Sequence, residues 1–143
     1  MKIGLNKRVN YVDLVDKKFG NPGKIKIIKV FLVEDDEDLR LLYERILASF
    51  GFKVVEFAAN GKEAVEKYKS LSLKPDVTIM DYQMPLKNGI EAGKEIIKHN
   101  PKAKILILSA DRNIKEKVLS NNMNFLDKAF NIKELLNKLQ ELL

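Results

Sequence analysis

Short, nearly continuous apolar runs alternate along the chain with longer stretches in which apolar residues recur every three or four positions. Ile27-Ile28-Lys29-Val30-Phe31-Leu32-Val33 is the first run, and such near-continuity is how a strand covered on both faces reads. It ends in the acidic cluster Glu34-Asp35-Asp36-Glu37-Asp38, after which Leu39, Leu42, Ile46, Leu47 and Phe50 keep helical spacing as far as Gly51, a natural residue to end a helix. Phe52–Phe57 is a second strand, and Asn60 is placed to cap a helix running through Leu71, with Ala64, Val65 and Tyr68 facing inward. Pro75–Met80 is a third strand ending at Asp81. A helix is expected over Ile90–Asn100, weakened by Gly93 by about 1 kcal/mol relative to Ala. Ile105–Leu108 is a fourth strand closing on Ser109-Ala110, and Asp111 caps an expected helix over Arg112–Ser120. Met123–Leu126 is a short fifth strand. Ile132, Leu135, Leu136, Leu139 and Leu142 stripe a last helix.

Five strands alternating with five helices predict right-handed crossovers and an α/β fold, a parallel sheet with helices on both faces. In such sheets the ligand crevice lies at the carboxyl ends of the strands. The polar residues there are Glu34 and Asp35 after the first strand, Asp81 after the third, Ser109 after the fourth and Lys128 after the fifth. Three carboxylates gathered at one edge repel one another unless a cation sits among them, and Mg2+, a hard ion taking oxygen ligands and retaining waters, suits them best. A carboxylate beside such an ion can act as a phosphoryl acceptor. Phosphoryl transfer needs positioning and charge neutralisation more than a base. Lys128 offers an ammonium for that purpose and Ser109 a hydroxyl. Taken singly, each has a plainer role. Asp36, Glu37 and Asp38 complement the positive end of a helix, Ser109 caps locally, Lys128 is a surface lysine, and Asp81 opens a turn before Pro85.

Composition narrows the chemistry further. Among 143 residues there is no Cys and one His, His99, which removes thiolate sites and leaves little material for histidine-rich zinc sites or a Ser-His triad. No apolar run reaches the ~18 residues of a membrane span, and no signal-peptide core follows Met1, so a soluble, cytoplasmic protein is expected. The formal net charge is +6, of which residues 1–26 contribute +5 and the other 117 residues +1. The basic character therefore belongs to an N-terminal extension, read as a solvated arm. Nucleic acid would meet the protein there if anywhere, and salt-dependent DNA retardation would reveal it. Within the extension, Tyr11, Val12, Leu14, Val15 and Phe19 form a short amphipathic stripe ended by Asn21-Pro22-Gly23. It is expected to pack on the body, to pair two protomers as a homodimer, or to offer a short helix to a partner.

The residues at the strand ends carry a resemblance. Asp81-Tyr82-Gln83-Met84-Pro85-Leu86-Lys87-Asn88-Gly89 resembles the phospho-acceptor loop of the receiver domains of two-component response regulators. Val33-Glu34-Asp35-Asp36, Leu108-Ser109-Ala110 and Phe125-Leu126-Asp127-Lys128-Ala129-Phe130 resemble the other three signatures of that family. Spacings of 46 residues from Asp35 to Asp81, 28 to Ser109 and 19 to Lys128 also agree. The resemblance covers residues 27–143 and implies a flavodoxin-like (βα)5 domain with strand order 2-1-3-4-5. It further implies that Asp81 is the phosphorylation site. Mg2+ would be bound by Asp35, Asp81 and the backbone carbonyl of Gln83, with Glu34 acting through a coordinated water. Ser109 would hydrogen-bond the phosphoryl group and Lys128 would ion-pair with it. Phe125 would be the switching aromatic, turning inward as Ser109 moves and reshaping the surface of the fourth helix, fifth strand and fifth helix. Gln83 and Asp111 are expected to tune autodephosphorylation.

Two departures matter. Ala129 stands where the family has Pro, and because a cis bond before a non-proline residue costs about 2.5–4 kcal/mol, the Lys128–Ala129 isomer stays open. Asn121 stands where Gly is common, a minor change because Asn tolerates a left-handed cap. The implied protein is a stand-alone response regulator and not an enzyme in the ordinary sense. It would take its phosphoryl group from a histidine kinase or a histidine phosphotransfer protein and dock on a downstream target. The rival is an Mg2+-dependent phosphatase with an aspartyl nucleophile, of the haloacid-dehalogenase type. Those enzymes need an acid two residues after the nucleophile, where this chain has Gln83. Sustained turnover of p-nitrophenyl phosphate would favour the rival.

Overall fold

The computed structural model describes residues 27–143, and the expectations for residues 1–26 (the extension, its amphipathic stripe and its nucleic-acid or dimer contacts) lie outside the described residues. Five parallel strands form one sheet: β1 (Lys29–Val33), β2 (Lys53–Ala58), β3 (Val77–Asp81), β4 (Ile105–Ser109) and β5 (Asn124–Asp127). Their order is β2-β1-β3-β4-β5, as the resemblance implied. Five helices connect them: α1 (Glu37–Ser49), α2 (Gly61–Ser70), α3 (Gly89–His99), α4 (Lys115–Ser120) and α5 (Ile132–Leu142).

Strand alternation divides the core in two. Phe31, Val33, Met80, Ile105, Ile107 and Phe125 point to one side, where they meet Ala64, Val65 and Tyr68 of α2, Ile90 and Ile96 of α3 and Val118 of α4. Val30, Leu32, Ile79, Leu106, Leu108 and Leu126 point to the other, against Tyr43 and Leu47 of α1 and Leu135 and Leu139 of α5. Each fully buried side chain of this kind stabilises the fold by about 1.5–3 kcal/mol. Both faces of β3 and β4 are covered, which is why those strands read as unbroken apolar runs.

Local chemistry sets the ends of the helices. Asp36, Asn60, Asn88 and Asn131 each accept a hydrogen bond from the backbone N–H three residues on, closing the first turns of α1, α2, α3 and α5. Gly51 follows α1 at φ 87°, a left-handed turn that favours glycine. The expected single helix over Arg112–Ser120 is corrected: Arg112–Ile114 is a 3-10 turn and only Lys115–Ser120 is α-helical. The reason lies in the cap, since Asp111 accepts from Asn113 N–H, two residues on, which tightens the entry. Among the described residues every peptide bond is trans, Lys128–Ala129 included, and no helix is long and apolar enough to cross a membrane.

Candidate functional site

Register brings the polar strand ends to one level. Val33 lies beside Met80, Asp81 beside Leu108 and Ser109 beside Asp127, so Glu34, Asp81, Ser109 and Lys128 all emerge at the carboxyl edge of the sheet. Glu34, Asp81 and Ser109 are buried there, and Asp35 is exposed at the rim. Single carboxylate oxygens of Glu34, Asp35 and Asp81 lie within 4.8 Å of one another.

The Lys128 ammonium balances these acids. Its Nζ donates to Asp81 Oδ2 at 3.0 Å and stands 3.2 Å from Glu34 Oε1. The second approach is an ion pair without hydrogen-bond geometry, so Glu34 Oε1 is a buried oxygen with no hydrogen-bond partner. Burial pushes the Glu34 carboxyl up to about 7, helped by the neighbouring Asp35 carboxyl and by the Asp81 charge, with Lys128 pulling the other way. Burial lowers the Lys128 ammonium, but Asp81 and Glu34 beside it outweigh that and hold it above its ordinary value.

A hard divalent cation fits this donor set. Three carboxylates converge within ligating distance of a common centre, one of their oxygens is buried and unsatisfied, and oxygen ligands of this type are those Mg2+ takes. Among the described residues this is the one such cluster of acids.

The loop from Tyr82 to Asn88 is built largely on the backbone. Tyr82 N–H donates to Leu108 O at 2.9 Å and Gly89 N–H to Tyr82 O at 2.8 Å. A Cβ on Gly61, the first residue of α2, would lie 2.1 Å from Lys87 O, so the loop is seated against that helix and tolerates no side chain there. Lys87 pairs with Glu95 of α3 on the other side. Gln83 is exposed in this loop. Ser109 Oγ accepts the Asp111 N–H at 3.0 Å, and Asp111 is otherwise exposed and engaged in its cap. Phe125 is 8% exposed, packed inward with Val118 and Met123. His99, on the far edge, meets the Tyr68 ring edge-on and takes no part in the site.

Several neighbours of the site carried no signal of their own in the sequence. Arg40, one turn into α1, donates to Glu34 O at 3.3 Å and lies over the Phe57 ring. Tyr43, which the helical stripe of the sequence did not include, lies tilted against the Phe130 ring at 5.8 Å, and burial pushes its phenol up to about 12. Asp127 anchors the turn after β5. The i, i+4 relation of Asp36 and Arg40 could have pointed to the first of these. Nothing local pointed to Gly61.

Comparison with known proteins agrees with this geometry. Residues 30–140 match the family described as response regulator receiver domain. The chain is 40% identical over 119 residues to the chemotaxis protein CheY of Thermotoga maritima, which is 79% of this chain and 98% of that protein. Among solved structures it resembles the response regulator TrrA of Thermotoga maritima in complex with Mg2+-BeF, with 31% identity, a TM-score of 0.74, and coverage of 82% of this chain and 100% of that one. It also resembles the CheX-CheY-BeF3-Mg2+ complex of Borrelia burgdorferi, with 25% identity, a TM-score of 0.76, and coverage of 87% and 92%. A match that spans the sheet and all four strand-end signatures leaves one conclusion, that this chain belongs to the response regulator receiver domain family.

Proposed function

We propose that the protein is a phospho-acceptor switch in phosphorelay signalling, with Asp81 as the residue modified. The observation that carries this reading is the trio of Glu34, Asp35 and Asp81, with the Lys128 ammonium 3.0 Å from Asp81. An Asp81 carboxylate oxygen attacks phosphorus, and the bond from phosphorus to the donor breaks. That is a P–N bond in a phosphohistidine and a P–O bond in acetyl phosphate, and the imidazole or acetate departs with the bonding electrons. Bound among Asp35, Asp81 and the Gln83 carbonyl, with Glu34 behind, Mg2+ would supply charge neutralisation for the transferring oxygens. Lys128, 3.0 Å from Asp81, contributes a second positive charge, and Ser109 a hydroxyl for one oxygen. Gln83 and Asp111, exposed in the loops after β3 and β4, would control the approach of water and so the lifetime of the acyl phosphate.

A phosphoryl group adds roughly −1.5 to −2 charge on hydroxyl esters, and a comparable charge on Asp81 would draw Ser109 and Lys128 toward it. Phe125 is already packed inward beside Val118 and Met123, 8% exposed, and a shift of Ser109 would be passed on to α4, β5 and α5. That surface, where Leu119 is 49% exposed, is the one we assign to a downstream target. The donor would be a histidine kinase or a histidine phosphotransfer protein, and the working compartment the cytoplasm.

Incubation with acetyl phosphate and Mg2+, followed by intact mass, tests this reading. One added phosphoryl group is expected on this chain, none on Asp81→Asn, and none after chelation of the metal. A label that survives Asp81→Asn, or sustained turnover of p-nitrophenyl phosphate in place of a stoichiometric label, would overturn it.

A further inference from the structure

Lys128 can neutralise Asp81 only if its backbone is held while a long side chain reaches about 3 Å from two acids. Such a side chain forfeits most of its rotamer freedom when it is fixed. The sheet holds only the near side, where Lys128 N–H donates to Ser109 O at 2.9 Å. Beyond it the chain leaves β5 through a trans Lys128–Ala129 bond with no proline to stiffen it. Asp127 closes this turn with both its carboxylate and its backbone carbonyl. Asp127 Oδ1 accepts the Ala129 N–H at 2.9 Å, and its backbone carbonyl accepts the Phe130 N–H at 3.0 Å. Its Oδ2 pairs with Arg112 Nε at 2.6 Å, on the turn just beyond Ser109 and Asp111.

We propose that Asp127 is a positioning residue for Lys128, bracing the turn after β5 through the Ala129 N–H and tying it to the loop of Ser109 through Arg112. A side-chain-to-backbone bond spanning two residues is the ordinary way an Asp makes a tight turn. The Arg112 pairing has a second effect: with both of its oxygens engaged, Asp127 does not compete with Asp81 for the neighbouring ammonium. Consistent with this, the Ala129 N–H and Arg112 hold the Asp127 carboxyl below the usual range. The inference rests on the role given to Lys128 in the proposed function.

Mg2+ and the Lys128 ammonium crowd the same acids, so loosening Lys128 has opposite effects on metal binding and on transfer. For Asp127→Ala in the full chain, Mg2+ binding by calorimetry is expected to tighten on the order of 3-fold. Phosphorylation by acetyl phosphate at saturating Mg2+ is expected to slow on the order of 10-fold. Asp127→Val, with a residue favoured in strands, serves if the Ala variant does not fold, with the same signature expected. Asp127→Asn keeps an acceptor for Ala129 and is expected within about 2-fold of the unaltered protein on both measures. Parallel weakening of Mg2+ binding and transfer, or no change in either, would overturn the proposal. Mg2+ binding reads the ammonium without any transfer. If it tightens in Asp127→Ala while the unaltered chain accepts no phosphoryl, the positioning role stands and the phospho-acceptor reading fails.

Discussion

The loops that follow β3 and β5 are braced differently. On the acceptor side, residues 82–88 are wedged by backbone: Lys87 O against Gly61, Gly89 N–H to Tyr82 O and Tyr82 N–H to Leu108 O. On the lysine side, residues 128–131 have two backbone bonds, Lys128 N–H to Ser109 O and Phe130 N–H to Asp127 O. Otherwise they depend on side chains, the Asp127 carboxylate and the Tyr43–Phe130 contact at 5.8 Å. Close-packed backbone cannot give without displacing whole elements, whereas a side-chain brace can lengthen or swing. The rigid side is the one that would present a backbone carbonyl to the metal, and the compliant side carries the ammonium that, in the proposed function, would follow a new charge. The difference teaches that one edge of a sheet can hold a fixed ligand and a movable counter-charge together.

The sharpest way to break this contrast is to wedge the rigid side. A methyl at Gly61 would meet Lys87 O at 2.1 Å, and neither the helix nor the loop backbone has a flexible end to move aside. Gly61→Ala should lower stability by about 1–3 kcal/mol, as overpacking does. Because the loop that would offer the Gln83 carbonyl must shift, Mg2+ affinity should fall with it, on the order of 10-fold. Urea denaturation and metal titration read the two effects. This is the reverse of the tightening expected at Asp127, and an unchanged Mg2+ affinity would mean the acceptor loop is no more rigid than its partner.

Glu34 sits between the two loops and reports on their balance through pH. Its carboxyl is pushed up to about 7, above the ordinary 4.5, first by burial. A group raised in the folded state contributes its full stability below the unfolded value and loses it as pH climbs through the folded one. The metal-free protein should therefore lose stability between about pH 4.5 and 7 on account of this residue. Glu34→Gln should flatten that decline, making the variant more stable than the parent by about 1–3 kcal/mol near pH 8. Added Mg2+ should stabilise the parent more than the variant and release protons as it binds near pH 7. Parallel stability-pH curves would show that Lys128 already compensates Glu34 in full.

The elements of this site were legible in the sequence to different depths. Asp81, Ser109 and the Glu34-Asp35 pair each close an apolar run, and a strand covered on both faces announces its own end. The cap at Asn60 was legible for a similar reason, since a helix start is a three-residue affair, whereas Asp36 read only as an acid near a helix start. The 3-10 turn at Arg112–Ile114 was not. It depends on Asp111 bonding two residues on rather than three, and both choices look alike in sequence. The seat of Lys87 on Gly61 and the Arg112–Asp127 pair were illegible for a different reason. They join loops brought together by strand order and register, and periodicity carries no record of which loop touches which. For the same reason Asp127 stood in the sequence only as one letter of the Phe125–Phe130 signature, beside the conspicuous Lys128.

The smallest expected effect concerns the tip of the rigid loop. Leu86 holds φ at 69°, a left-handed conformation that crowds its Cβ and is disfavoured for a bulky residue by about 1–2 kcal/mol. The side chain is 76% exposed, so almost no burial offsets that strain. Leu86→Asn puts at this position a residue that tolerates the left-handed region, and it should raise stability by about 0.5–1 kcal/mol in thermal or urea unfolding. Since the wedge at Gly61 is untouched, Mg2+ affinity should not move. Stability that rises with affinity unchanged would place the strain at the tip and the rigidity at the base of the loop. If both changed together, tip and base would move as one body, and the acceptor loop would be a single stiff unit from Tyr82 to Asn88.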